Sequence, residues 1–254
     1  MDAEIVRDYY NDQKVVRHYS DAAVRIGLWK SEEKIFTRVF GKEDTLLECG
    51  CGAGRIAMGL WELGYRNVLA TDFAREQILE ARRIARILDY RIHWKVEDAT
   101  RLTFQDGLFD GVIFGFNGLM QIPGRDSRTQ AMVEIFRVLR PGGWFVFTSH
   151  DRELSKYKKF WEKERGLWRK GKQHPMLDDF GDRFEPTELG DLYIHVPTPR
   201  EIREDLKRVG FRIEADVLRS KVANEDAATR TFSDECRFWV AQRPENAAEV
   251  EEPD

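Results

Sequence analysis

The sequence predicts an α/β fold in which a mostly parallel sheet carries helices on both faces. First, short apolar runs typical of buried strands alternate with helical patterns from residue 45 to residue 148. Second, a glycine-rich turn at residues 50–54 joins the first strand to the next helix. Third, the alternation stops near Asp151 and resumes at Thr198, which predicts an insertion in the sheet domain.

Composition narrows the class of protein. The 254 residues are enough for one large domain, and 41 basic residues nearly balance 45 acidic ones, which excludes a strongly basic nucleic-acid binder. No apolar run approaches the roughly 20 residues of a transmembrane helix. The first residues lack the basic and apolar regions of a signal peptide. We therefore expect a cytoplasmic protein, monomeric or homodimeric, with no membrane partner.

Residues 1–42 are predicted to form a helical cap, with Ser31 as the N-cap of its last helix. Residues 43–150 form the predicted cofactor-binding core. Its expected strands and helices alternate, with strands at 45–49, 68–72, 92–96, 109–114 and 144–148 and helices at 56–63, 75–88 and 131–139.

The remaining segments complete the predicted organisation. Residues 151–197, basic and aromatic at first and acidic later, are interpreted as an inserted lid that contacts substrate. Residues 198–243 return to the core through a capping box, Thr198 to Glu201, followed by strands at 211–218 and 236–242. The acidic tail, 244–254, is expected to be disordered.

The glycine turn is the strongest functional signal. Gly50, Gly52 and Gly54 permit left-handed backbone and close approach of a ligand, and the following helix start offers free N–H groups. The alternative is a tight strand-to-helix connection without a ligand. The spacing of Gly52, Gly54 and Ala57 also fits a relaxed dinucleotide fingerprint, so a nicotinamide-dependent oxidoreductase is one alternative function.

Two acidic positions follow the next strands. Asp72 ends the second strand, where a carboxylate can accept both hydroxyls of a ribose, or alternatively cap the next helix. Asp98 and Ala99 follow the third strand, where a carboxylate can accept from an adenine amino group. The alternative for Asp98 is a solvated loop acid.

The motif Glu48-Cys49-Gly50-Cys51-Gly52-Ala53-Gly54 resembles the first motif of class I S-adenosylmethionine-dependent methyltransferases. Four later features agree with that family in order and spacing: Asp72, Asp98-Ala99, Phe109-Asp110-Gly111-Val112 and Leu139-Arg140-Pro141-Gly142-Gly143. The resemblance covers residues 44–150 closely and 198–242 loosely. It departs at Gly111, where many members carry a larger residue.

This resemblance implies a doubly wound seven-stranded sheet whose last strand is antiparallel, with S-adenosylmethionine as cofactor and S-adenosylhomocysteine as product. Fourteen residues are the expected cofactor contacts: Glu48, Gly50, Cys51, Gly52, Gly54, Arg55, Asp72, Phe73, Asp98, Ala99, Gly115, Phe116, Tyr19 and Trp29. For Tyr19 and Trp29 the alternative is that they only pack the N-terminal helices on the sheet.

The acceptor is expected to be a small molecule that receives the methyl group by in-line displacement. Residues 115–118, Gly-Phe-Asn-Gly, differ from the Asn/Asp-Pro-Pro-Tyr signature of amino-group methylators of DNA bases and glutamine. The basic run 156–172 leaves an RNA acceptor as an alternative, and a non-catalytic cofactor-binding module is another.

Three residues are candidates for a general base or a substrate contact: Asn117, His150 and His195. For His150 the alternative is a surface-turn histidine, and for His195 a packed structural one. No metal is expected, because Cys49 and Cys51 lack the further Cys/His pair of a zinc site and are interpreted as small buried residues.

Overall fold

The computed structural model describes residues 2–245, so all but the first two residues of the predicted tail lie outside the described residues. The helices are α1 (Ala3–Asn11), α2 (Gln13–Arg25), α3 (Lys30–Val39), α4 (Arg55–Glu62), α5 (Arg75–Ile87), α6 (Arg125–Val138), α7 (Lys158–Trp168), α8 (Pro199–Val209), α9 (Arg219–Val222) and α10 (Ala227–Phe232). The strands are β1 (Leu46–Cys49), β2 (Val68–Asp72), β3 (His93–Val96), β4 (Phe109–Phe114), β5 (Leu139–Ser149), β6 (Asp182–Thr187), β7 (Gly190–His195), β8 (Arg212–Leu218) and β9 (Arg237–Gln242).

Seven strands form one sheet in the order β3-β2-β1-β4-β5-β9-β8. The first five are parallel, and β9 runs antiparallel to both β5 and β8. The predicted seven-stranded α/β fold with an antiparallel last strand is thus confirmed. Among residues 2–245, no helix combines the length and apolar character needed to cross a membrane.

Both faces of the sheet are covered, as expected for central strands that read as continuous apolar runs. Every residue of β1 is buried, and separate apolar clusters pack on the two faces. Gly111 in β4 fits this packing because a Cβ there would overlap the Phe40 ring and stand 2.8 Å from Leu46. The departure from the family pattern at Gly111 therefore accommodates an aromatic side chain of the N-terminal segment.

Three local expectations differ from the structure. Ser31 is not the N-cap of α3: Trp29 is, and the Glu32 carboxylate accepts a hydrogen bond from the Trp29 N–H at 2.9 Å. Helix α6 starts six residues earlier than expected, at Arg125, and β5 includes the Pro-Gly-Gly stretch. The insertion is regular rather than patternless, because it contains α7 and the β6–β7 hairpin.

A buried ion pair joins the N-terminal helices to the core. The guanidinium of Arg55, the first residue of α4, donates to both carboxylate oxygens of Glu32 at 2.6 Å and to the Gly27 carbonyl at 2.9 Å. Glu32 is 0% exposed and Arg55 8%. The pair fixes α3 beside the glycine turn, since Gly54 directly precedes Arg55.

We expect Glu32→Gln to lower the free energy of unfolding by about 3–5 kcal/mol, because it leaves the Arg55 charge buried without a counter-ion. Urea unfolding at neutral pH measures the change. The control is Glu33→Gln, at an exposed neighbouring position, which should stay within about 0.5 kcal/mol of the wild type. Equal effects of the two substitutions would contradict this view of the ion pair.

Candidate active site

The carboxyl ends of β1, β2, β3 and β4 surround one cavity. The strand order reverses between β1 and β4, and ligands of open α/β sheets bind outside the carboxyl ends at such a switch point. The glycine turn follows β1, Asp72 ends β2, residues 97–99 follow β3, and residues 115–118 follow β4. The topology thereby brings together the sequence features predicted to hold the cofactor.

The glycine turn has a backbone that other residues rarely adopt. Gly50, Gly52 and Gly54 have φ values of 63°, 52° and 91°. A Cβ on Gly50 would stand 2.6 Å from the Phe114 ring, whereas a Cβ on Gly52 would meet nothing closer than 3.8 Å. Gly52 therefore faces open space, and its residue type is required by the left-handed backbone and not by crowding.

Asp72 supports the glycine turn and also lines the cavity. Its Oδ2 accepts from the Gly52 N–H at 2.8 Å, and its Oδ1 accepts from the Ala74 N–H at 2.8 Å, just before α5 begins. The capping alternative is wrong, because the N-cap of α5 is Ala74 and no side chain caps it. Each carboxylate oxygen has a second lone pair with which to accept a ligand hydroxyl. Burial raises the pKa of Asp72 to about 6.

Three further carboxyl groups line the cavity. Glu48 is 2% exposed, its Oε2 has no hydrogen-bond partner, and burial raises its pKa to about 8. Glu97 accepts from the Thr103 N–H and hydroxyl. Asp98 is exposed and accepts from Thr100. Glu48 thus has a buried carboxyl oxygen without a hydrogen-bond partner, which the other two do not have.

The cavity opens to solvent, and the empty space within it and at its mouth amounts to about 1250 Å³. The predicted cofactor contacts that line it are Glu48, Gly50, Cys51, Gly52, Arg55, Asp72, Phe73, Asp98, Ala99, Gly115, Phe116 and Tyr19. Lining residues that sequence reasoning missed come from α1, α10 and the loop before α6, and include Ala3, Val6, Tyr10, Ile122, Pro123 and Phe232. In the sequence these residues look the same as ordinary core residues, so no local pattern distinguishes them as cavity residues.

Two of the predicted contacts have other roles in the structure. Arg55 reaches the cavity, but its guanidinium is engaged by Glu32 and the Gly27 carbonyl. Trp29 is 1% exposed, and its ring lies 4.7 Å from the guanidinium carbon of Arg55 and 5.0 Å from that of Arg219. Trp29 therefore has the packing role that is the alternative to a cofactor contact, and it does not line the cavity.

The three candidate bases do not line this cavity. Asn117 and His150 lie together at the ends of β4 and β5, with Asn117 Nδ2 3.2 Å from His150 Nε2 and His150 Nδ1 3.0 Å from the Glu235 carbonyl oxygen. These contacts fit an imidazole protonated on Nδ1. Burial lowers the pKa of His150, which keeps the imidazole neutral at pH 7.

His195 lies in a different region. Its Nδ1 is 2.7 Å from Asp182, and burial lowers the pKa of the imidazole. It lines a second cavity of about 680 Å³ with Arg128, Arg152 and Glu201. The position of His195 thus agrees with a packed histidine and not with a contact to the first cavity.

The insertion also lies away from the first cavity. None of residues 151–197, all of which the structure describes, lines it. Instead Tyr193 of β7 packs with Val6 and Tyr10 of α1, and the Tyr9 hydroxyl is 3.5 Å from that of Thr187. The hairpin supports the helix that forms the cavity wall.

The prediction that Cys49 and Cys51 are buried is confirmed. Cys49, Cys51 and Cys236 are free and buried, and burial raises the pKa of Cys49 to about 12. Within residues 2–245, no group of three His, Cys, Asp or Glu side chains is placed to hold a metal ion.

Comparison with known proteins identifies the core. Residues 46–143 match a family model described as a methyltransferase domain. A demethylmenaquinone methyltransferase from Leptospira interrogans is 36% identical over 105 residues, so the similarity spans only 40% of this chain and 41% of that relative.

Solved structures extend the similarity to most of the fold. A SAM-dependent methyltransferase from Methanosarcina mazei aligns with a TM-score of 0.68 and 22% identity, over 87% of this chain and 100% of that one. The 1,6-didemethyltoxoflavin-N1-methyltransferase of Burkholderia thailandensis, solved with S-adenosylhomocysteine, gives a TM-score of 0.61 and 18% identity, over 95% and 88%. Such identities show the fold. The family model shows that residues 46–143 form a methyltransferase domain, and the order of the motifs within it is the one that the class I resemblance implies.

Proposed function

We propose that this protein transfers the methyl group of S-adenosylmethionine to a small-molecule acceptor. The observation that carries the proposal is the convergence of the glycine turn, Asp72 and Asp98 on one cavity at the carboxyl ends of three neighbouring strands. Glycines for close backbone approach and a carboxylate for ribose hydroxyls are what a nucleoside cofactor requires.

The strand order orients the cofactor in this proposal. Neighbouring strands are about 4.8 Å apart, so the ends of β3, β2, β1 and β4 span about 14 Å. With adenine beside Asp98 and Ala99 and ribose at Asp72, the methionine part extends over Gly50 towards Gly115. The reacting methyl group then lies near the end of β4, at the opposite side of the cavity from Asp98.

Bound S-adenosylmethionine supplies a methyl group already activated by its sulfonium, so the chain has mainly to align donor and acceptor. Alignment alone contributes on the order of 7–11 kcal/mol to lowering a barrier. Asp72 and the glycine turn fix the donor, while Tyr19 and Phe116 exclude water from the same cavity. None of the three candidate bases lines the cavity, so the proposed reaction gives Asn117, His150 and His195 no contact with the acceptor.

A small acceptor is supported by the cavity and by the relatives. The cavity is walled by α1, by α2 and by Phe232, whereas the basic run 156–172 belongs to the insertion that does not reach it. Demethylmenaquinone and 1,6-didemethyltoxoflavin, named for two relatives, are both small molecules. These observations favour a small molecule over RNA.

The acceptor class is tested with S-adenosylmethionine that carries a radiolabelled methyl group. We expect a labelled low-mass product, separated from S-adenosylmethionine itself, to form in a cell extract, and no enzyme-dependent label to appear in the RNA fraction. Gly52→Val is the background control, because a valine at φ 52° is strained and its side chain enters the cavity beside Tyr19. Label in RNA that depends on wild-type enzyme would contradict the proposal.

Asp72→Ala should weaken S-adenosylhomocysteine binding by about 1.5–3 kcal/mol, the worth of hydrogen bonds to a charged group. Calorimetric titration measures the dissociation constant. Asp110→Ala is the matched control: Asp110 also accepts a backbone N–H, from Thr45 at 2.7 Å, but lies at the other end of the sheet. If both variants keep wild-type affinity, Asp72 only supports the turn.

Binding should also depend on pH. Burial raises the pKa of Asp72 to about 6, so the carboxylate that accepts ribose hydroxyls is lost below that pH. Between pH 7 and pH 5, below the pKa of about 8 to which burial raises Glu48 in the same cavity, the affinity for S-adenosylhomocysteine should therefore fall as the pH drops through 6, by at most about tenfold per unit. Asp72→Asn should remove this dependence. A wild-type dissociation constant that stays level from pH 7 to pH 5 would argue against ribose contact by Asp72.

A further inference from the structure

The connection between β8 and β9 builds part of the cavity from a distant segment. It contains α9 and α10, and two side chains fasten it to the N-terminal helices. The Glu225 carboxylate accepts from the Lys30 and Ser31 N–H groups at 3.0 and 2.9 Å, and the guanidinium carbon of Arg219 lies 5.0 Å from the centre of the Trp29 ring. The connection is therefore held in one position beside α3.

Phe232 is the last residue of α10, and its side chain lines the cavity. Its ring stacks on Phe116 with centroids 4.9 Å apart and planes at 21°, and on His18 at 5.6 Å and 23°. Tyr19 meets Phe116 edge-on at 6.2 Å. Phe116 and Phe232 are both half-buried and both line the cavity. Their free surfaces form an aromatic wall at the end of β4.

The charges at this end of the cavity are neutralised. Asp72, Glu97 and Asp98 lie at the ends of β2 and β3, on the cofactor's nucleoside side. Near β4, the guanidinium of Arg55 is engaged by Glu32 at 2.6 Å. Glu48 is buried, and its raised pKa of about 8 keeps it mostly protonated at pH 7. Among the described residues that line the cavity near β4, no charged side chain is left to pair with an ionic acceptor, and burying an unpaired charge against the protein would cost free energy.

We propose that Phe232 is a specificity-determining residue and that the aromatic wall it forms with Phe116 selects a flat, uncharged aromatic acceptor. Aromatic rings favour one another in offset-stacked or edge-to-face geometry, which a saturated ring of similar size does not match. This inference rests on the proposed function, because it places the acceptor beside the methyl group at the end of β4.

Three bicyclic probes separate ring shape from charge: 1-naphthol, its saturated analogue decahydro-1-naphthol, and naphthalene-1-sulfonate. Calorimetric titrations are made with and without saturating S-adenosylhomocysteine. We expect the loaded wild type to bind 1-naphthol at least tenfold more tightly than either other probe. Phe232→Leu should lose at least fivefold for 1-naphthol and little for the saturated probe, with S-adenosylhomocysteine affinity within twofold of wild type.

Phe232→Tyr, which keeps the ring, should preserve the preference for 1-naphthol. The matched control is Phe104→Leu. Phe104 is also half-buried, and its ring packs edge-on against Phe109 with the ring centroids 5.2 Å apart, but it does not line this cavity. A purely structural role of Phe232 would change stability or the binding of all probes together, but not the ratio between the flat and the saturated probe.

Equal binding of 1-naphthol and decahydro-1-naphthol, an unchanged ratio in Phe232→Leu, or no binding of any probe would overturn the inference. A loss of S-adenosylhomocysteine affinity equal to the loss for 1-naphthol would assign Phe232 to the cofactor instead. If the proposed function is wrong, the wild type does not bind S-adenosylhomocysteine, which is a different outcome from those that overturn the inference. The titrations without cofactor then still measure whether Phe232 sets a ring preference.

Discussion

A buried ion pair, Glu32 with Arg55, fixes α3 beside the glycine turn. Both partners have lost their water, so their attraction must be made with good geometry, and the guanidinium meets both carboxylate oxygens at 2.6 Å. Because Arg55 begins α4 directly after Gly54, any shift of α3 would pull on the turn.

Other helix ends are also completed by residues far away in the chain. The first N–H groups of α3 are satisfied by Glu225, and the last carbonyls of α6 accept from Arg243, which follows β9. A helix end leaves four backbone groups unpaired, and buried ones require such partners. The cap, the sheet and the β8–β9 connection therefore stabilise one another, and the cavity lies where the three meet.

The core could be predicted from the sequence because strands, turns and helix starts depend on residues that are close together in the chain. β2 and β4 lie where apolar runs between turn residues placed them, and β1 and β3 within one residue. The β6–β7 hairpin was missed because β6, Asp-Arg-Phe-Glu-Pro-Thr, is mostly polar and contains a proline. The ion-pair role of Arg55 and the position of Phe232 were missed for another reason: each depends on a partner that only the tertiary fold brings near. The same holds for the Asn117–His150 pair.

The way the chain is threaded has a consequence for its synthesis. Strand β9 is inserted between β5 and β8, and α10 precedes it by a few residues, so the cavity wall combines α1 with a segment from the far end of the sequence. On the ribosome, α1 and α2 emerge long before Phe232 and Glu225. Until those residues are translated, the Lys30 and Ser31 N–H groups lack their acceptor, and the His18 and Phe116 rings lack the ring that stacks on them. Folding intermediates that expose such apolar surface are prone to aggregate.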